Sequence, residues 1–257
     1  MTDRISTREI VCEAWRSIVR ERRAVARICI LPYVLLMATS ALEQAAVPGP
    51  WGVAAIYTVR FALCVVVAVR LHRLVLTRQV PSSSFSVLKF DQTDLVYMAW
   101  LFAVAAMVPI LASLIAMPEH HSLEWFLIEG LIPLLCFVVL CRQFAVLLAI
   151  ALGGPSDWQN FRAMRSRAAM ASKPAFWPVI LAISVVIFAL ALALTGLSLV
   201  PWNLTVQEAE AINIVIGNLM ILAFISMEAA IMSAAYLRLP LCDTGLPRPT
   251  PRDIDPP

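Results

Sequence analysis

The sequence predicts an all-α, polytopic membrane protein. It has six transmembrane helices, amphipathic interfacial helices on the cytoplasmic side, and an outline open to reading as a threefold hairpin repeat. Three observations carry this. The 257 residues are 61% apolar and only 14% charged, whereas soluble domains are near half apolar and about 25% charged. Mean hydropathy is +0.82. Six apolar stretches are long enough to cross a hydrocarbon core of about 30 Å, and the cations gather at alternate ends of them. The net charge of +3 comes without a basic-aromatic surface, so nucleic acid is excluded as a partner.

The elements follow in chain order. Residues 6–22 read as an amphipathic helix. Ser6 and Glu9 have capping-box spacing, Ile10, Val11, Ala14, Trp15, Ile18 and Val19 fall on one face, and Arg8, Glu9, Glu13, Arg16, Arg20 and Glu21 on the other. A short basic helix of this kind, leading into a membrane span, most simply lies along the interface. A partner-docking surface is the rival reading.

The first span covers about 28–46, with Pro32 tolerated in its first turn. Because seven arginines precede residue 28, no cleavable leader is expected. Val47-Pro48-Gly49-Pro50 breaks the chain. The second span, 51–76, is about 39 Å long at 1.5 Å per residue, so its arginine-bearing end should emerge from the membrane. A polar break at 81–93 leads to the third span, 95–117, which Pro109 should kink. Pro118-Glu119-His120-His121-Ser122 turns the chain into the fourth, 123–151, which Pro133 should bend.

Residues 156–173 repeat the amphipathic character of the amino terminus, with Ser156 and Gln159 again at capping spacing. The fifth span is 175–199 and the sixth 211–237, so residues 1–239 form one transmembrane domain. From Pro240 the chain holds six prolines in eighteen residues, which reads as a disordered cytoplasmic tail, 240–257.

Charge sets the orientation. Seven of the twenty Lys and Arg residues precede the first span, and four (Arg70, Arg73, Arg78, Lys89) lie between the second and third. Five (Arg142, Arg162, Arg165, Arg167, Lys173) lie between the fourth and fifth, and three follow the sixth. The loops 47–50, 118–122 and 200–210 hold none. The remaining cation, Arg60, sits inside the second span. The positive-inside rule then places both termini in the cytoplasm.

The even spans share an ending: Cys64-Val-Val-Val-Ala-Val-Arg70, Cys136-Phe-Val-Val-Leu-Cys-Arg142 and Met232-Ser-Ala-Ala-Tyr-Leu-Arg238. A threefold unit of interfacial segment plus hairpin is one reading. The other is that apolar helices ending in arginine are routine, and the two stand level.

Glu13-Ala-Trp-Arg16 before the first span and Leu71-His-Arg-Leu-Val-Leu76 leaving the second carry a resemblance. With six spans and a proline-rich tail, the chain resembles uncharacterised bacterial inner-membrane proteins grouped with the glycerophosphoryl diester phosphodiesterase membrane domain. The resemblance implies a fold and an inner-membrane location. It implies no catalytic residues, because the phosphodiesterase activity of that group belongs to a separate soluble domain.

An isolated charge inside a span is costly and normally faces the bundle interior with a partner. Aligning Arg70 with Arg238 puts Arg60 and Glu228 at one depth, and Glu129 lies about one turn away. These three form the candidate intramembrane polar site. It is either a functional site or an ion pair that fixes helix register. Arg70, His72, Arg73, Arg142 and Arg238 are the candidate lipid-headgroup contacts.

Glu119, His120, His121 and Glu124 offer zinc-type donors, but adjacent histidines on a turn point apart and no metal site is expected. The six scattered cysteines, Cys12, Cys29, Cys64, Cys136, Cys141 and Cys242, lack CxxC pairing and read as small apolar residues. No P-loop, GxSxG or HExxH occurs, so no catalytic residue and no cofactor is assigned.

The leading function is a non-enzymatic inner-membrane scaffold, assembly or envelope-homeostasis component. Its partners would be membrane lipids and another membrane protein. The alternative is a transporter or lipid-handling protein whose path is lined by Arg60, Glu129 and Glu228.

Overall fold

The computed structural model describes residues 5–45, 49–115, 138–139, 141–153, 158–198, 205–239 and 246–247. The regular elements among them are helices: α1 (Thr7–Arg20), α2 (Arg22–Ala45), α3 (Pro50–Thr77), α4 (Ser84–Val87), α5 (Gln92–Ile115), α6 (Phe144–Ala151), α7 (Trp158–Ala171), α8 (Phe176–Ser198) and α9 (Val206–Leu237). Glu129, the His120–His121 turn, Pro133 and the Ser156 cap lie outside the described residues.

Helix starts follow local capping chemistry, and three were not read from the sequence. Thr205 accepts the Glu208 backbone N–H at 3.4 Å while the Glu208 carboxylate accepts the Thr205 N–H at 2.8 Å, so α9 begins at Val206 rather than at 211. Asp91 and Asp94 accept each other's backbone N–H at 2.9 Å, which starts α5 at Gln92. Ser83 and Ser86 form the same reciprocal box before the single turn of α4.

The expected Ser6–Glu9 box does not form. Ser6 caps α1 without a side-chain bond, and the Glu9 carboxylate is engaged by Arg238 at 3.1 Å. Only Glu21 separates α1 from α2, which starts at Arg22. Pro32 therefore lies in a helix interior, not a first turn. It removes one backbone hydrogen bond there.

α9 is the hub, packing against α1, α2, α3, α6 and α8. α3 packs in turn against α2, α5 and α6. α2 and α3 form an antiparallel hairpin, whereas α3 and α9 run in the same direction. The core gathers at the end of the bundle where α3 carries Arg70, Arg73 and Arg78. It contains Val65 and Val69 of α3, Ile231 and Tyr236 of α9, Ile10 and Ala14 of α1, and the whole of α6, in which every residue is buried. A helix apolar on all sides belongs in such a place.

The chain beyond α9 is not wholly detached. Leu246 is buried in the core and the Pro247 carbonyl accepts the Tyr236 hydroxyl at 2.8 Å. The expectation of a disordered tail from Pro240 is corrected at these two residues: an apolar side chain beside a buried phenol gains more by docking than by solvation.

Four described helical stretches are long and apolar enough to cross a membrane: Arg22–Ala45, Trp51–Thr77, Lys173–Leu197 and Gln207–Leu237. Only 22–33% of each apolar window is buried within the protein, so most of that surface needs cover from outside. On α8 Trp177, Leu181, Val185, Phe188 and Leu192 are exposed opposite the buried Val179, Ile183 and Val186, and from Ile187 onward most described residues are exposed around the helix. An apolar face of this extent marks a membrane or protein contact.

Candidate functional site

Three polar groups are built into the apolar frame. The first surrounds Arg60. Its NH1 pairs with Glu43 at 2.8 Å, its Nε donates to Thr39 Oγ1 at 3.1 Å, and its NH2 donates to Ser40 Oγ at 2.6 Å. Ser40 Oγ also accepts Asn218 Nδ2 at 3.0 Å. Arg60 thus ties α3 to the last turns of α2 and, through Ser40, to α9. Tyr57 stacks under the guanidinium at 5.7 Å.

This geometry separates Arg60 from Glu228. By the His72–Ser233 contact Arg60 is level with residue 221, and Glu228 lies seven residues further along α9, about 10 Å at 1.5 Å per residue. His72 bonds Ser233 across the two parallel helices, so Arg70 is level with residue 231, not with Arg238, and the alignment slips by two turns. Glu43 supplies the charge that Glu228 was expected to supply.

Glu228 belongs to a second group. It lines a cavity of about 170 Å³ between α3, α5, α6 and α9, together with Phe61, Cys64, His72, Tyr97 and Met232. The small side chains of Cys64, Ala68 and Ala229 leave the space. His72 is 1% exposed. One of its ring nitrogens, Nδ1, meets Ser233 Oγ at 3.0 Å and the other, Nε2, meets the Tyr97 hydroxyl at 3.1 Å. Both ring nitrogens are therefore committed within the protein, and the expected headgroup contact by His72 is corrected: the ring points into the bundle. Among the described residues, none hydrogen-bonds to or ion-pairs with the Glu228 carboxylate. Glu228 is half-buried, and a carboxylate within a span is costly unless a cation or a proton joins it.

The third group lies one turn toward the arginine-rich end. Arg70 NH2 donates to Asp94 Oδ2 at 2.7 Å and to the Lys89 carbonyl at 2.7 Å. The Asp94 side chain is 0% exposed and that of Arg70 10%. Arg73 NH1 pairs with Asp91 at 2.8 Å, and its Nε donates to the Ala151 carbonyl at 2.8 Å, a free acceptor in the last turn of α6. Arg70 and Arg73 were expected to face headgroups. Instead they staple α3 to α5 and α6, because two aspartates at the start of α5 stand within reach.

Arg142 is exposed. Arg238 is half-turned outward but paired with Glu9 at 3.1 Å and Glu13 at 2.9 Å on α1, while Arg78 pairs with Glu21 at 2.8 Å. The three arginines that end the matched sequence motifs thus meet three unlike environments. α1 itself buries Ile10, Ala14 and Ser17 against the bundle and leaves Trp15 and Val19 exposed. Among the described residues no cluster of His, Cys, Asp and Glu could hold a metal ion.

These helices are those of an α-helical bundle compatible with a multi-pass membrane protein. No family model matches the chain, and comparison with curated proteins and with solved structures gives no match.

Proposed function

We propose that the chain is a six-span protein of a bacterial inner membrane, with both termini cytoplasmic, that handles a small cation or a proton at Glu228. One observation carries this reading: an unpartnered carboxylate on an internal cavity, flanked by the hydrogen-bonded His72 and Tyr97. Ionisable side chains within spans mark ion and substrate paths by default. Size restricts the occupant. Cavities for drug-sized ligands run to about 300–1,000 Å³, and this one, about 170 Å³, has room for roughly five waters at about 30 Å³ each. A cation with part of its water shell fits, and a drug-sized solute does not.

Of the function classes open to the sequence, this is the transporter class, with its polar site at Glu228 and His72 and without Arg60. The scaffold reading rests on missing motifs. The resemblance to the phosphodiesterase-associated membrane group bears on location alone.

The test is flux in proteoliposomes under an imposed potential, with an internal pH dye and, separately, a sodium dye. The wild type should pass one of the two ions, and Glu228→Gln should abolish the flux while Glu43→Gln leaves it in place. Equal flux in wild type and Glu228→Gln, or none in either, rejects the proposal.

A further inference from the structure

The arginines expected at headgroups, Arg70 and Arg73, are spent inside the protein, yet another set is not. Arg20, Arg22, Arg23 and Arg27 gather at the elbow between α1 and α2, lining a cleft of about 430 Å³ with Glu21 and Val80. Glu21 is the acid in this group, and its carboxylate is drawn to Arg78 at 2.8 Å, against 3.7 Å to Arg20. Arg27 donates once, to the Pro81 carbonyl at 3.3 Å. Arg22 and Arg23 are exposed and have no acidic partner among the described residues.

The placement is also wrong for the helix alone. Glu21 stands just before α2, but its carboxylate is drawn to Arg78, and the first turns of α2 hold Arg22, Arg23 and Arg27 with no acid in the first turn, although a helix start favours negative charge. An anion there would satisfy both the guanidinium groups and the helix.

A stripe on α2 gives that anion a lipid's shape. Arg23, Arg27, Ile30 and Val34 follow at steps of four, three and four, so they share one helix face. All four are exposed, Ile30 and Val34 to 59% and 54%. Cationic heads stand at one end of this face and bare apolar side chains continue for two turns beyond. We infer that this face binds an anionic phospholipid. Its phosphodiester is held by Arg20, Arg22, Arg23 and Arg27, and an acyl chain runs along Ile30 and Val34. The inference is independent of the cavity at Glu228.

The experiment is native mass spectrometry of the full chain released from detergent with added phosphatidylglycerol or phosphatidylcholine. The wild type should retain phosphatidylglycerol over phosphatidylcholine. Arg23→Gln/Arg27→Gln should retain it about thirtyfold less, the loss expected for two cations next to an anionic headgroup. Arg8→Gln/Arg16→Gln makes the same charge change on exposed positions of α1 and should retain it as the wild type does. Equal losses in both double variants would mean attraction by net charge alone and overturn the site. So would displacement of the lipid by equimolar glycerol phosphate, since a site for free phosphate needs no apolar stripe. Ile30→Ala/Val34→Ala keeps every charge. It should weaken retention several-fold, and unchanged retention would remove the acyl-chain half of the inference. Co-elution of each variant with the wild type on size exclusion separates these outcomes from misfolding.

Discussion

Asp94 is the buried acid on which the packing of α3 against α5 turns. Its side chain is 0% exposed and accepts Arg70 NH2 at 2.7 Å. Removing one member of such a pair strands the other and costs about 3–5 kcal/mol. The two single changes should differ. In Asp94→Asn, Arg70 keeps the Lys89 carbonyl at 2.7 Å and Asp91 at 3.6 Å, so the cost should fall near the lower end, about 3 kcal/mol. In Arg70→Met, Asp94 keeps only the Asp91 N–H, and the cost should approach 5 kcal/mol. Arg70→Met/Asp94→Asn removes both charges and should be less destabilising than the sum by about 2 kcal/mol, within the coupling range of contacting residues. Reversible unfolding in mixed micelles against increasing dodecyl sulfate, followed by far-ultraviolet circular dichroism, measures all four proteins. Single-variant costs that add to within about 0.5 kcal/mol would refute the argument.

Four further outcomes follow from the same geometry. Glu43→Gln should cost about 1 kcal/mol, as the pair with Arg60 is partly exposed, and Glu228→Gln should cost nothing; the reverse order in the same unfolding assay would return Arg60 to Glu228. Tyr97→Phe leaves His72 Nε2 without its partner at 3.1 Å and should cost about 1–3 kcal/mol, measured likewise, with a silent substitution counting against that hydrogen bond.

Acid should weaken the fold partly through Asp91. Burial by itself raises this carboxyl, but bonds from Arg73 and the Asp94 N–H, with the charges of Arg73 and Arg70, outweigh it and hold it below its ordinary 3.8. A lowered folded value means that stability is complete above the ordinary value and is lost as pH falls through the folded one. Melting temperatures from pH 6 downward should therefore decline less steeply in Asp91→Asn, and identical slopes would exclude the effect. Finally Cys12, exposed on α1, should react with an impermeant maleimide in inverted vesicles and not in intact cells when it is the sole cysteine. The opposite pattern would reverse the topology.

Much of the frame was legible because hydrophobic length and helix-breaking residues act locally. The end of α2 at Ala45 and the start of α3 at Pro50 follow from Pro48, Gly49 and Pro50. The starts of α5 and α9 are written in the Asp91–Asp94 and Thr205–Glu208 spacings, ahead of the apolar runs that follow. Glu43 was within reach of the same logic: a tight hairpin sets the last turns of α2 beside the first turns of α3, and so beside Arg60.

The cavity was not legible. His72, Tyr97, Ser233 and Glu228 come from three helices, and no spacing within one helix announces a shared wall. Arg70 and His72 are two residues apart and were read alike, yet they face different neighbours, since adjacent positions on a helix diverge by about 100° per residue.

By itself the sequence determined that these segments are helices, that most of their surface must be covered by something apolar, and that positive charge collects at one end. Each of those is a property of single segments meeting a solvent. Only the tertiary structure decided which charge answers which, because the offset between two parallel helices is set by side-chain packing along their whole length. A slip of two turns moved Arg60 to Glu43 and left Glu228 facing an internal cavity.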